Sequence, residues 1–334
     1  MKHISTPQSP TPGLDIVKDW RFERSLRLFG QSAMDDLARC HIAVFGLGGV
    51  GSYAAEALAR SGVGNLTLVE FDQVCITNIN RQLHATTGTI GANKVDVIAA
   101  RMRDINPRIH VRVCNEFYDR HTSAHLLEPR PDVVIDCIDN VTAKMHLVAT
   151  CVESEIPIVT TLGAGAKLDP TRIRVAPLPA THSDPLGRAL RKYIRRKHKI
   201  SEQHLARVIA VFSDEPVMLP ITDHGGVVCG VDCVCPNRDN TRHTCKQRHV
   251  IYGSAMFVTA AFGLAAVSAA IRLHLGRDPL SPPLECPACG TPVDSTRPRR
   301  AVTKAGKKEC QQSGRSDDAG VSPEITAEDG PTGP

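Results

Sequence analysis

The residues with the clearest chemistry lie at 41–51, which read HIAVFGLGGVG. Gly46, Gly48 and Gly51 give the spacing G-x-G-x-x-G directly after Ile42, Val44 and Phe45, a β-branched and aromatic run suited to a buried strand. Residues 52–59 are mostly good helix formers. Strand, glycine turn and helix in this order make a phosphate cradle. The glycines allow a tight turn and close backbone approach, and the helix N-terminus supplies free N–H groups and a positive dipole end. A second strand at 66–70 follows, with Asp72 just beyond it. An acid there accepts hydrogen bonds from a ribose. Glu70 lies where a nicotinamide-dependent dehydrogenase keeps its ribose acid, so this pattern alone favours NAD. The structural alternative is a turn that only packs a helix on a sheet.

The elements around this turn alternate. Residues 20–37 read as a helix with Arg21, Arg24 and Arg27 three apart on one side, which could equally be a solvated face. Residues 73–93 read as a loop carrying Thr77-Asn78-Ile79-Asn80-Arg81-Gln82. Lys94 opens a helix that Asn106-Pro107 stops. Strands at 109–113, 132–137 and 156–160 flank a helix at 143–153; the fourth strand ends at Ile138-Asp139-Asn140 and the fifth at Leu162-Gly163-Ala164-Gly165. Such alternation predicts an α/β fold, a Rossmann-like, doubly wound, mostly parallel sheet with helices on both faces. Ligands in such sheets bind at the carboxyl ends of strands, so Asp72, Asp139 and the 163–165 turn are expected in one crevice.

A second informative stretch is 184–199. Read as a helix, it sets Arg188, Arg191, Lys192, Arg195 and Lys199 on one face, opposite Leu186, Ala189, Leu190, Tyr193 and Ile194. Seven Lys or Arg in residues 188–199 with no acid favour a polyanion such as RNA over a solvated face, which usually carries both signs. Cysteines dominate a third stretch: Cys229, Cys233, Cys235 and Cys245, then Cys286-Pro-Ala-Cys289. A C-x-x-C pair is half of a zinc knuckle. A zinc site would use Cys286, Cys289 and two of Cys233, Cys235 and Cys245; the alternative is ordinary reduced thiols.

At 334 residues, 42% hydrophobic and 22% charged, the chain is of globular composition with a mild formal charge of +5. Residues 1–15 lack the order of a secretory signal, so its 12 cysteines read as reduced thiols or metal ligands of a cytoplasmic protein. Residues 255–271 are apolar but short for a span of about 20 residues, and read as a buried helix rather than a membrane anchor. The expected organisation is a mobile arm at 1–19, a nucleotide-binding domain at 20–277 containing the basic helix and the Cys-rich insert 229–245, and a knuckle with a disordered tail at 278–334.

Taken together, Arg21-Phe22-x-Arg24, Gly46-x-Gly48-Gly49-x-Gly51, Asp72, Asn78-x-Asn80-Arg81-Gln82, Lys94 and Asp139-Asn140 resemble the ubiquitin-activating-enzyme-like adenylyltransferase superfamily, across residues 20–275. That superfamily includes the sulfur-carrier-activating enzymes of thiamine and molybdopterin synthesis. Within it the chain is most similar to the tRNA threonylcarbamoyladenosine dehydratase family, through Val74 to Asn78, Thr160-Thr161-x-Gly163-Ala164-Gly165, Leu168-Asp169-Pro170, Ser183 to Leu186, Val211-Phe212-Ser213 and Val258-Thr259-Ala260-x-Phe262-Gly263. The resemblance implies ATP-dependent cyclisation of a threonylcarbamoyl group on tRNA adenosine, by way of an acyl-adenylate. It implies roles by position: the glycines and Asn78 around the nucleotide, Arg81 and Lys94 on the phosphates, Asp72 on the ribose, Asp139 on Mg²⁺, and Arg24 as an arginine finger supplied across a homodimer. The sequence departs from the pattern after Ser213.

The leading alternative is an adenylyltransferase acting on the carboxyl terminus of a small ubiquitin-like sulfur carrier, with a sulfur-transfer protein as partner. The cysteine cluster favours it and the basic helix opposes it. A non-catalytic, nucleotide-dependent RNA-binding scaffold is the third reading, opposed by the full set of phosphate-handling residues. The Asn-Arg-Gln followed by this lysine argues against the NAD dehydrogenase.

Overall fold

The computed structural model describes residues 19–220 and 252–280. Strands β1 (His41–Phe45), β2 (Asn65–Val69), β3 (His110–Cys114), β4 (Val133–Asp136), β5 (Ile158–Thr161), β6 (Ile173–Pro177) and β7 (Ile209–Ser213) form one sheet in the order β3-β2-β1-β4-β5-β7-β6. Every neighbouring pair is parallel except β6 with β7. The order reverses between β1 and β4, the switch point where such sheets open a ligand crevice.

The strands are short apolar runs because both faces are covered. Ile42 and Val44 pack on one side with Leu66, Leu68, Val133, Ile135 and Val211. Ala43 and Phe45 pack on the other with Val134, Ala210 and Phe212. Helices α1 (Glu23–Phe29), α2 (Gln31–Arg39), α3 (Gly51–Arg60) and α4 (Lys94–Ile105) precede β3; α5 (Ser123–Leu126) and α6 (Val141–Glu153) flank β4; α7 (Pro185–Lys197), α8 (Glu202–Leu205) and α9 (Met256–His274) complete the described set. Residues of α2, α3, α4 and α9 join the first core, and those of α6, α7 and α8 the second. The expected doubly wound architecture is the observed one.

Three local expectations change. The helix expected over 20–37 is a 3₁₀ turn (Trp20–Phe22), α1 and then α2, broken at Gly30, whose φ of +85° suits a residue without Cβ. Strands β6 and β7 were not predicted from composition. β7 is a five-residue apolar run that periodicity cannot distinguish from a helix segment, and β6 is a half-buried edge strand ending in proline. Helix α7 ends at Lys197, so Lys199 is not on it; Lys199 sits beyond the helix end with φ +54°. Helix α9 is the apolar segment weighed as a membrane anchor. It lies against α3 and strands β4 to β7, with Phe262, Ala266, Ala269 and Ala270 fully buried.

Candidate active site

The carboxyl ends of β1, β2, β4 and β5 open on a cleft of about 930 Å³. Its floor is the glycine turn. Gly46 has φ +86°, and a Cβ there would lie 2.8 Å from the carbonyl oxygen of Cys137. A Cβ on Gly51 would lie 1.8 Å from the Gly46 oxygen, so the turn closes only without one. A Cβ on Gly49 would meet Thr259 of α9 at 3.1 Å and Cγ of Arg81 at 3.4 Å. The turn ends at Gly51, where α3 begins, and Gly46, Gly48, Gly49 and Val50, just before the helix, line the cleft.

Two carboxylates bracket the end of β2. Glu70 is 7% exposed. Its Oε2 accepts the Leu47 N–H at 2.8 Å, and its Oε1 accepts those of Phe71 at 2.9 Å and Asp72 at 3.0 Å. It therefore ties the glycine turn to β2. Burial pushes its carboxyl above the ordinary range against the pull of Lys94. Asp72 accepts a bond from Lys94 Nζ at 3.0 Å. The loop between them is closed by a Gln73–Asn93 bridge and by the Lys94 N–H bonding the Asp72 carbonyl at 3.0 Å, which brings the start of α4 back to the end of β2. Lys94 is 5% exposed. Burial pulls its ammonium down, but Glu70, Asp72 and Asp139 outweigh this and raise it, so it stays charged.

Arg81 is positioned by that loop. Its Nη1 donates to the Thr77 carbonyl at 2.8 Å and to Asn80 Oδ1 at 2.9 Å. Asn78 is buried and holds the loop, accepting the Cys75 N–H at 3.1 Å. Asn80 Nδ2 donates to the Ser254 carbonyl at 2.9 Å, just before α9. Asp139 is exposed on the cleft wall. The N-cap of α6 is its neighbour Asn140, which accepts the Ala143 N–H at 3.0 Å, so Asp139 is not used as the cap.

Beneath Asp139 lies a buried ion pair that sequence reading missed. Lys144 Nζ is 2.6 Å from Asp136 Oδ2, 2.9 Å from the Thr161 carbonyl and 3.3 Å from Thr160 Oγ1. Thr160 Oγ1 donates to the same Asp136 oxygen at 2.6 Å, while Asp136 Oδ1 accepts the Ile138 N–H at 3.0 Å. This satisfied network fixes the turn that carries Asp139. Opposite, Asp184 accepts the Gly163 N–H at 3.0 Å and caps α7 through the Gly187 N–H at 2.7 Å, joining the β5 turn to the basic helix. Buried Lys167 lines the same wall, its Nζ donating to the Glu215 carbonyl; burial lowers its ammonium.

Glycine turn, helix N-terminus, Lys94 and Arg81 fit a polyphosphate, and Asp139 supplies the hard oxygen donor that Mg²⁺ takes alongside phosphates. Comparison with known proteins accords with this geometry. The sequence model of the ThiF family matches residues 22–310. The chain belongs to the ThiF family. The tRNA threonylcarbamoyladenosine dehydratase of Escherichia coli (strain K12) is 41% identical over 267 residues, spanning 78% of this chain and 97% of the relative. The crystal structure of that E. coli dehydratase in complex with ATP aligns with a TM-score of 0.66 at 37% identity, covering 77% of this chain and 94% of the other. The molybdopterin-synthase adenylyltransferase of E. coli (strain K12) is 36% identical over 140 residues, 42% of this chain and 54% of that one.

Not every expected residue of this ThiF-family chain meets the cleft. Arg24 sits on α1 with its side chain 93% exposed, beside Glu23 and outside the cleft. Arg188, Arg191, Lys192, Arg195 and Arg196 line a shallow groove on α7. Arg196 takes the place expected for Lys199. The groove is also less uniformly basic than the helix alone implies, because Glu202 of α8 pairs with Arg195. Arg191 donates to Thr181 Oγ1, and burial with its neighbours Arg195 and Arg188 lowers its guanidinium. Cys233, Cys235, Cys245, Cys286 and Cys289 lie outside the described residues.

Proposed function

We propose that this ThiF-family chain dehydrates the threonylcarbamoyl group of a modified tRNA adenosine, using ATP. The observation that carries the reading is the continuity between the phosphate cleft and the basic helix. Asp184, Pro185 and Leu186 at the start of α7 line the cleft, and Asp184 ties them to the Gly163 turn. A nucleoside presented on a chain of phosphates along α7 thus reaches the ATP site. A small carrier protein gives no reason for a helix of this charge.

Residues 20–277 are the catalytic domain. The glycine turn of Gly46, Gly48, Gly49 and Gly51 and the α3 N-terminus cradle the phosphates. Glu70 and Asp72 supply the carboxylates on the ribose side, Asp72 also anchoring Lys94, while Asn78 holds the loop that presents Arg81. The threonine carboxylate attacks the α-phosphorus of ATP, and the bond to pyrophosphate breaks. Lys94 and Arg81 stabilise charge growing on the phosphoryl oxygens. A nucleophilic atom of the same side chain then attacks the activated carbonyl, loses its proton and expels AMP; the net change in the side chain is loss of one water. The reacting groups belong to one substrate, so proximity replaces a covalent enzyme intermediate. Asp139 would hold Mg²⁺, which would supply charge neutralisation at the phosphates. Arg24 joins the site from a second copy in a homodimer. No sulfur enters the product, so a sulfur-transfer partner is not needed. Zinc, if held by Cys286, Cys289 and two of Cys233, Cys235 and Cys245, all outside the described residues, would have no step in this reaction. A cytoplasmic location accords with a tRNA substrate.

The test is incubation of the purified chain with ATP, Mg²⁺ and total tRNA, gentle digestion and mass spectrometry. Threonylcarbamoyladenosine lighter by one water, formed only with ATP, is the expected result. Its absence, with ATP–pyrophosphate exchange driven by a small carrier protein instead, overturns the reading.

A further inference from the structure

The amino ends of the strands, opposite the cleft, hold a second cluster. Cys40 immediately precedes β1, Asp132 immediately precedes β4, and His274 is the last residue of α9. Their ligand atoms all lie within 4.8 Å of one another. Ligand atoms of a tetrahedral ion with bonds of about 2.0–2.3 Å are roughly 3.5 Å apart, so modest side-chain rotation closes the set. We propose that Cys40, Asp132 and His274 bind a zinc-class divalent ion that staples the amino-terminal edge of the sheet to the end of α9.

The donor set selects the ion. One sulfur, one imidazole nitrogen and one carboxylate oxygen suit zinc and its neighbours, whereas Mg²⁺ and Ca²⁺ take oxygen donors. On binding, the thiol proton of Cys40 leaves to solvent and the thiolate becomes the ligand. Three protein ligands leave a fourth position for water, and Asp132 is exposed at that edge. The supports are rigid. Cys40 is 1% exposed, its N–H bonding the Asp36 carbonyl at 2.9 Å at the end of α2. The His41 N–H donates to Asp132 Oδ2 at 2.8 Å, and the Asp132 N–H donates to the His41 carbonyl at 2.8 Å. That clamp orients the carboxylate, the part outer-shell bonds play in metal sites. His274 is carried by a core helix. The three donors are 92 and 142 residues apart in sequence (132 − 40 and 274 − 132), so an ion here crosslinks distant parts of one domain. The site shares no residue with the proposed Cys286/Cys289 centre and lies away from the ATP cleft. Its loss should lower stability and leave turnover at temperatures below melting unchanged.

The experiment compares full-length wild type with Cys40→Ser and His274→Ala. Each is stripped with chelator, reloaded with Zn²⁺ or Co²⁺ and freed of excess metal. Retained ATP binding shows that each variant is folded; should Cys40→Ser not fold, His274→Ala, at a half-buried helix end, carries the test. Each variant should retain about one equivalent less zinc than wild type, and Cys40→Ser should lose one sulfur-to-cobalt charge-transfer contribution. Zinc at about a hundredfold over its Kd should raise the wild-type Tm by about 5 °C or more, and that rise should shrink in both variants. Equal zinc content, cobalt spectra and zinc-dependent Tm rise in wild type and folded variants would overturn the site. So would a wild-type Tm that zinc does not move.

Discussion

Arg81 and Lys94 share one cleft but are held differently, and their variants should differ accordingly. Arg81 is anchored by its own loop and projects beside the glycine turn, so Arg81→Ala should lower turnover by about a hundredfold or more at little cost in Tm. Lys94 is buried between Glu70 and Asp72, so Lys94→Ala should lose similar turnover and also stability, because it leaves a buried carboxylate unbalanced. Steady-state rates and thermal melts of the two variants decide this; wild-type rates in both would remove them from the site. His84 gives a pH test. It is 3% exposed, and neither ring nitrogen has a hydrogen-bond partner among the described residues. Burial, aided by Lys94, pulls its imidazolium from 6.5 to about 4. The unfolded chain therefore takes up this proton first. The stability from a neutral His84 is present above pH 6.5 and is lost as pH falls towards 4, at up to about 1.4 kcal/mol per pH unit. Across that window the urea midpoint of wild type should fall relative to that of His84→Leu as pH drops, because only wild type carries the group whose proton the unfolded chain takes up first. A constant gap between them counts against the assignment.

Between elements, the glycine turn depends on α9 as much as on its own residues. A Cβ on Gly263 would lie 2.4 Å from the Val50 carbonyl oxygen, so α9 approaches the turn at backbone distance. Gly263→Val should push α9 away and weaken ATP binding together with stability, although residue 263 is not among those lining the cleft. Calorimetric ATP affinity and Tm read this; an unchanged affinity would separate the turn from its support. On α7, the exposed Arg188 and Lys192 are better probes than Arg191, which is engaged with Thr181. Arg188→Glu with Lys192→Glu should weaken tRNA binding by about tenfold or more and flatten its salt dependence, with ATP affinity intact. Unchanged tRNA affinity would refute the role of the helix. The charge density of α7 was legible because it is local in sequence. Glu202, which answers Arg195, was not, because it comes from the next helix.

At the scale of the whole molecule, Arg24 is the expected catalytic residue that one chain does not bring to the cleft. Trp20 and Leu28, 87% and 74% exposed, lie near it in the same amino-terminal segment. If a second copy delivers Arg24, mixing inactive Arg24→Ala and Lys94→Ala chains under exchange conditions should restore activity, to about a quarter of wild type for random pairing. One site per mixed dimer then has Lys94 from its own chain and Arg24 from the other. No recovery in verified mixed dimers would remove the trans arginine.

The amino-acid sequence alone determined the glycine turn, the first five strands, the helices α3, α4 and α6, and the ordered motif set that pointed to an ATP-using adenylyltransferase of the ubiquitin-activating-enzyme-like superfamily. These rest on short spacings and local periodicity, which survive whatever the chain packs against. Tertiary structure decided the rest. It set Lys94 between Glu70 and Asp72, buried Lys144 on Asp136 beneath Asp139, and joined α7 to the Gly163 turn through Asp184. It left Lys199 off the basic helix, added β6 and β7 to the sheet edge, and brought Cys40, Asp132 and His274 together. Each of these depends on which distant segments meet across the sheet. A linear pattern says which face of an element is apolar, but not what will cover it.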